Sequence, residues 1–178
     1  MIPVFLANGF EEIEALATVD ILRRAKVDVV TVGVGSKMPV GAHGIAVCAD
    51  ITEEELKLEN IDGVVLPGGM PGTTNLEASA VVQRAISYAA ERGLLLAAIC
   101  AAPSILGHGG YLSGKNATCY PGFESELKGA ILGKNVVVDG NVITASGAGV
   151  AVDFALALVR YLVSAEVADT IRGGIQCP

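Results

Sequence analysis

Tryptophan is absent, aromatic residues make up 4% of the chain and charged ones 17%, so the interior must be built from Val, Leu, Ile and Ala. Basic residues are scarce as well. Twelve Lys and Arg face nineteen Asp and Glu, a formal charge of −7, and no basic run is longer than Arg23-Arg24. A chain of that sign repels phosphate backbones and anionic headgroups, which argues against nucleic acid and membrane surfaces as partners. Long apolar runs are missing too. Mean hydropathy is +0.56, yet no run reaches the ~18 residues of a membrane-spanning helix. That hydropathy is the mark of a buried sheet. Four cysteines, at 48, 100, 119 and 177, form no Cys-x-x-Cys pair and no cluster with the two histidines, so no metal site is expected. No basic segment precedes a long apolar one at the N-terminus, so no secretory signal is expected. A cytoplasmic location with free thiols follows as the expectation.

What is present is a chain of 178 residues, 52% hydrophobic and with 22 glycines. A chain of this size buries roughly 70% of its unfolded surface in one core. Disorder, coiled coil and collagen are excluded by composition. No repeat, linker or low-complexity tract divides it, and residues 1–178 are expected to form a single domain.

Short apolar runs alternate with segments of helical period, which predicts strand–helix–strand units around a mostly parallel sheet. Strands are expected at Ile2–Ala7, Val27–Val34, Gly63–Leu66 and Leu94–Ile99, the last at the sheet centre. Helices are expected near Glu11–Ala25, Ala78–Arg92 and Val150–Val163. Pro39–Asp50 reads as a glycine-flanked hairpin or edge excursion, and Val136–Asp139 with Val142–Ala145 as a hairpin joined by Gly140-Asn141. The fold class is α/β, a three-layer α/β/α sandwich.

The apolar run Leu94–Ile99 ends abruptly at Cys100, and Ala101-Ala102-Pro103 starts a helical stretch. Cys100 therefore stands on a tight strand-to-helix turn at the carboxyl edge of the sheet, where open α/β folds bind ligands. The helix N-terminus and its unpaired N–H groups favour a thiolate there. Gly68 and Gly69, just past a strand end, can turn N–H groups toward the same edge as an oxyanion hole. Glu11, Glu12 and Glu14 open the helix after the first strand. The first two suit the helix dipole, whereas Glu14 lies nearly a turn in and can point inward as a proton carrier with raised pKa. His43 and His108 read as loop residues, Cys119 as a site or strand residue and Cys177 as incidental.

Taken together, Gly9-Phe10-Glu11-Glu12-Ile13-Glu14, Leu66-Pro67-Gly68-Gly69 and Ala97-Ala98-Ile99-Cys100-Ala101-Ala102-Pro103 resemble the DJ-1 branch of the DJ-1/PfpI superfamily. The likeness extends through Val19–Ala25 and Asp153–Ala157. It implies a flavodoxin-like sandwich, usually a homodimer, with Cys100 as the reactive cysteine and Glu14 as the protonated acid beside it. Gly69 and Ala101 match the backbone donors, Cys48 a second cysteine near the dimer interface, and Arg24 an arginine near it.

The departures matter as much. The family histidine aligns with Tyr120, and family arginines align with Ser146 and His43, so the pocket is less basic; Tyr120, Cys119 and Ser146 are its candidate lining. The protease branch has a histidine directly after the nucleophile, where this chain has Ala101, which argues against proteolysis. An amidotransferase would need a downstream His-x-Glu, and no histidine follows His108. The resemblance implies cofactor-independent chemistry on a small carbonyl substrate such as glyoxal or methylglyoxal, or on a glycation adduct. The alternative is a non-catalytic oxidative-stress sensor or chaperone-like protein working through oxidation of Cys100.

Overall fold

A computed structural model describes residues 1–178. The strands are β1 (Ile2–Ala7), β2 (Val29–Val34), β3 (Ile51–Thr52), β4 (Gly63–Leu66), β5 (Leu95–Ile99), β6 (Asn116–Ala117), β7 (Ile131–Leu132), β8 (Val136–Asp139) and β9 (Val142–Ala145). The α-helices are α1 (Glu12–Arg24), α2 (Gly72–Ala78), α3 (Ala80–Glu91), α4 (Pro103–His108), α5 (Ala151–Leu162) and α6 (Ala165–Gly174). Seven strands form one sheet in the order β3-β2-β1-β4-β5-β9-β8, parallel except for β8, while β6 and β7 make a small parallel pair of their own.

Strand β1 shows why the chain folds this way. All six of its residues are buried, and their side chains alternate between faces, as strand geometry requires. Ile2, Val4 and Leu6 join one apolar cluster, under α1, α5 and α6, with Leu22, Ile99 and Phe154. Phe5 and Ala7 join the other, under α2, α3 and α4, with Leu66, Leu76, Ile86 and Leu106. A sheet covered on both faces accounts for the high hydropathy. Because the winding reverses between β1 and β4, the loops after these strands diverge to opposite faces and open a crevice at the carboxyl edge.

Several expectations need correction. The sheet centre is β4, with β5 beside it. The helix expected near 78–92 is α3, which begins after Ser79, whose extended backbone (ψ 120°) and side chain cap it by accepting from Val82 N–H; the short α2 just before it was not expected. The 39–50 segment folds back on itself as expected, with Gly41 N–H donating to Ile45 C=O (2.9 Å) and Val47 N–H to Pro39 C=O (3.0 Å). It holds one antiparallel bridge, Val40 to Ala46, and lies across the start of α1 through Gly9 N–H to Val40 C=O (2.8 Å) and Ala42 N–H to Phe10 C=O (2.8 Å). Helix α6 has no counterpart among the expected elements. It packs on α5 through the ion pairs Arg172–Asp153 and Arg160–Asp169.

Candidate active site

Cys100 follows the last residue of β5 and adopts φ +65°, the left-handed region that side chains avoid. The turn is pinned on both sides: Cys100 N–H donates to Ala145 C=O (2.9 Å), and Cys100 C=O accepts from Tyr120 N–H (2.8 Å). Pro103 then fixes the first turn of α4, where its missing N–H costs nothing. The result lifts a half-buried sulfur onto the carboxyl edge of the sheet. Backbone N–H groups of Gly69 and Ala101 stand close enough to that sulfur to favour its charged form.

Glu14 comes from the first turns of α1 and is fully buried. Its Oε2 accepts from Gly68 N–H at 2.8 Å. Its Oε1 is buried with no hydrogen-bond partner, and the carboxyl lies near enough to the Cys100 thiol for each to shift the other's pKa. Burial pushes Glu14 up to about 7, against the pull of the Gly68 N–H. Burial, and next the Glu14 carboxylate, push the Cys100 thiol up to about 12, against the pull of the Gly69 and Ala101 N–H groups. The two groups hold their protons jointly. When Glu14 carries a proton the repulsion disappears and its O–H becomes a donor to sulfur, so a proton moving between them redistributes charge inside one small site.

Glycine at 68 is a steric requirement. A Cβ there would lie 2.6 Å from Cys100 Cβ and 2.9 Å from Glu14 Oε2. Gly69 takes φ +88°, and a Cβ on it would lie 2.5 Å from Glu11 N. Cys100, Glu14, Gly68, Gly69 and Ala101 thus meet at one point. Cys119 and Ser146 lie on a neighbouring cavity of about 430 Å³ with Thr118, Glu124, Lys134 and Asn135. Tyr120 is half exposed; its N–H donates to Cys100 C=O (2.8 Å), and its ring covers Gly147, where an added Cβ would meet it at 3.3 Å.

Lys134 and Asn135 escaped sequence reasoning because they belong to an irregular connection with no periodicity to place them. The loop reading of His108 needs correction. It closes α4 and bridges Glu77 (Nδ1 to Oε1, 2.5 Å) and Glu126 (Nε2 to Oε2, 2.8 Å) instead of dangling from a loop. Cys48 is exposed, and Cys177 lies beside Arg172 at 3.4 Å.

An α/β sandwich with a cysteine on a strained strand-to-helix turn, facing a buried carboxyl and backbone donors, defines a class of cysteine-centred proteins. Comparison with known sequences places the chain within it: the DJ-1/PfpI family profile matches residues 1–161, and the chain belongs to that family. It is 39% identical over 173 residues to Drosophila melanogaster protein DJ-1alpha, covering 94% of this chain and 80% of the relative. It is 30% identical to the Caenorhabditis elegans glutathione-independent glyoxalase DJR-1.2, covering 90% of this chain and 87% of the relative. A cysteine-to-alanine mutant of a Salmonella typhimurium DJ-1 superfamily protein superposes with a TM-score of 0.93 at 35% identity, over 99% of this chain and 98% of that one.

Proposed function

We propose that the protein converts small dicarbonyls such as methylglyoxal to 2-hydroxy acids, using Cys100 as nucleophile and no cofactor. The observation that carries this reading is the convergence of three groups on one sulfur: the Glu14 carboxyl and the N–H groups of Gly69 and Ala101. The similarity to a glutathione-independent glyoxalase supports the substrate class.

In the proposed reaction Cys100 Sγ attacks the aldehyde carbon while Glu14 accepts the thiol proton. The oxygen of the new hemithioacetal is held by the Gly69 and Ala101 N–H groups, which stabilise its charge most in the transition state. Glu14 returns the thiol proton to that oxygen, giving the neutral hemithioacetal, and, free again as a base, moves the proton of the former aldehyde carbon to the adjacent carbonyl carbon while the hydroxyl proton passes to the neighbouring oxygen. The thiohemiacetal carbon is oxidised to a thioester as the ketone is reduced to an alcohol, so no external redox partner is needed. One water hydrolyses the thioester, releasing lactate and restoring the Cys100 thiol. A single carboxyl that both takes and returns protons suits this internal exchange.

The test is lactate formation from methylglyoxal by wild type and variants. Cys100→Ser is expected to fall to background, and Glu14→Gln to lose roughly 10² to 10⁴-fold in rate, the usual size of an acid–base contribution. Equal rates in wild type and Cys100→Ser would overturn the mechanism.

A further inference from the structure

We infer that Glu11, Glu12 and His43 form a binding site for a borderline divalent metal such as zinc, separate from the Cys100 centre. Three ligand atoms, one from each residue, lie within 4.8 Å of one another. The two carboxylates are arranged alike. Glu12 Oε1 accepts from His43 N–H (2.8 Å) and Ile45 N–H (3.4 Å), leaving Oε2 at 2.8 Å from His43 Nδ1. Glu11 Oε1 accepts from Ile13 N–H (3.3 Å), leaving Oε2 at 3.5 Å from the same Nδ1. Each glutamate therefore spends one oxygen on the backbone and turns the other toward the imidazole, the outer support that fixes metal ligands.

The spacing suits a metal. Ligand atoms about 2.0–2.1 Å from zinc in a tetrahedral arrangement lie ~3.3 Å apart, and the two contacts above bracket that figure. In the metal-free protein, an N–H proton stands between His43 Nδ1 and Glu12 Oε2; the cation replaces it. One imidazole nitrogen with two carboxylates selects zinc, cobalt or nickel over magnesium and calcium, which take oxygen alone. Two carboxylates outweigh the half positive charge of the α1 N-terminus. In the single chain His43 is 68% exposed at its side chain, so the remaining coordination positions face outward from the subunit.

The donors are also rigidly presented. Glu12 is nearly fully buried, and the 40–46 segment packs closely on it at Gly41, where a Cβ would lie 2.3 Å from Glu12 Cδ and displace the carboxylate. No sequence spacing announces the site, because His43 reaches Glu12 across 31 residues through that loop.

The decisive experiment titrates the protein with Zn²⁺ by calorimetry and with Co²⁺ by visible absorption, in wild type, His43→Ala, Glu12→Gln and Cys100→Ser. Expected are Zn²⁺ binding weakened at least about 10-fold by His43→Ala, binding unchanged in Cys100→Ser, and cobalt bands without a thiolate-to-metal charge-transfer band. His43 is exposed, so its variant should keep the wild-type circular dichroism and the comparison stands even if Glu12→Gln misfolds. No Zn²⁺ binding by wild type, undiminished binding by His43→Ala, or a thiolate band that vanishes in Cys100→Ser would each overturn the proposal.

Discussion

Cys100 stays in a backbone region that costs a residue with a side chain about 1–2 kcal/mol, and the surrounding bonds to Ala145 and Tyr120 hold it there. Strain persists where structure over-determines it, and here it aims the sulfur. Gly68→Ala tests how tightly the site is drawn. The new methyl would have to push apart Cys100 and Glu14, so turnover should fall severalfold or more while stability drops by about 1–3 kcal/mol, readable by kinetics beside urea unfolding. Glu14 itself was partly legible in the sequence: its place nearly a turn into the helix distinguished it from Glu11 and Glu12. Its hydrogen bond to Gly68 was not, since that contact joins residues 54 apart. Glu12 stands in the first turn of α1, where the helix dipole favours it, but its burial under the 40–46 loop, with Oε1 accepting from His43 and Ile45 N–H, had no sequence signal.

At the level of elements, the strands and long helices followed from apolar periodicity, which survives because both sheet faces are covered. Short elements escaped for a physical reason. Helix α2 starts on Gly72 and spans only Gly72–Ala78, and α6 ends in Gly173-Gly174; both are set by tertiary packing more than by a strong local pattern. Ser79 separates α2 from α3 and caps the latter, and Ser79→Ala is expected to cost about 1 kcal/mol in chemical unfolding through loss of the cap. The His108 clasp joins α4 to α2 and to the turn at Glu124–Glu126. A neutral imidazole donates from one nitrogen, so bonds to both carboxylates require the protonated ring. Glu126 and then Glu77 accordingly raise His108 above its ordinary value. A raised folded pKa stabilises fully below the unfolded value near ~6.5 and is lost as pH climbs through the folded value. The melting-temperature advantage of wild type over His108→Gln should therefore shrink from pH ~6 to ~9, and solvent screening keeps the full effect below about 1 kcal/mol. An advantage independent of pH would remove the clasp from the account.

Across the whole molecule, apolar content follows from a doubly covered sheet, and apart from Glu12 and Glu14 the charged side chains lie outside the buried core. No helix is long and apolar enough to cross a membrane. Several large apolar side chains nevertheless face outward on α1 and the segment lying over it, among them Ile13 at 58% exposure and Ile45 at 54%. Exposed aliphatics on adjoining elements suit association with a second copy. Sedimentation of wild type should give a dimer, and Ile13→Glu a monomer; a monomeric wild type would contradict this. The catalytic account is tested most directly by mass spectrometry of protein quenched during turnover of methylglyoxal. Expected is an adduct with the mass of one methylglyoxal on the Cys100 peptide, absent in Cys100→Ser and accumulating with time only while substrate remains. Lactate production with no Cys100 adduct, or the same adduct and turnover in Cys100→Ser, would contradict it; absence of turnover with selective oxygen addition at Cys100 after mild peroxide would transfer the site to redox sensing.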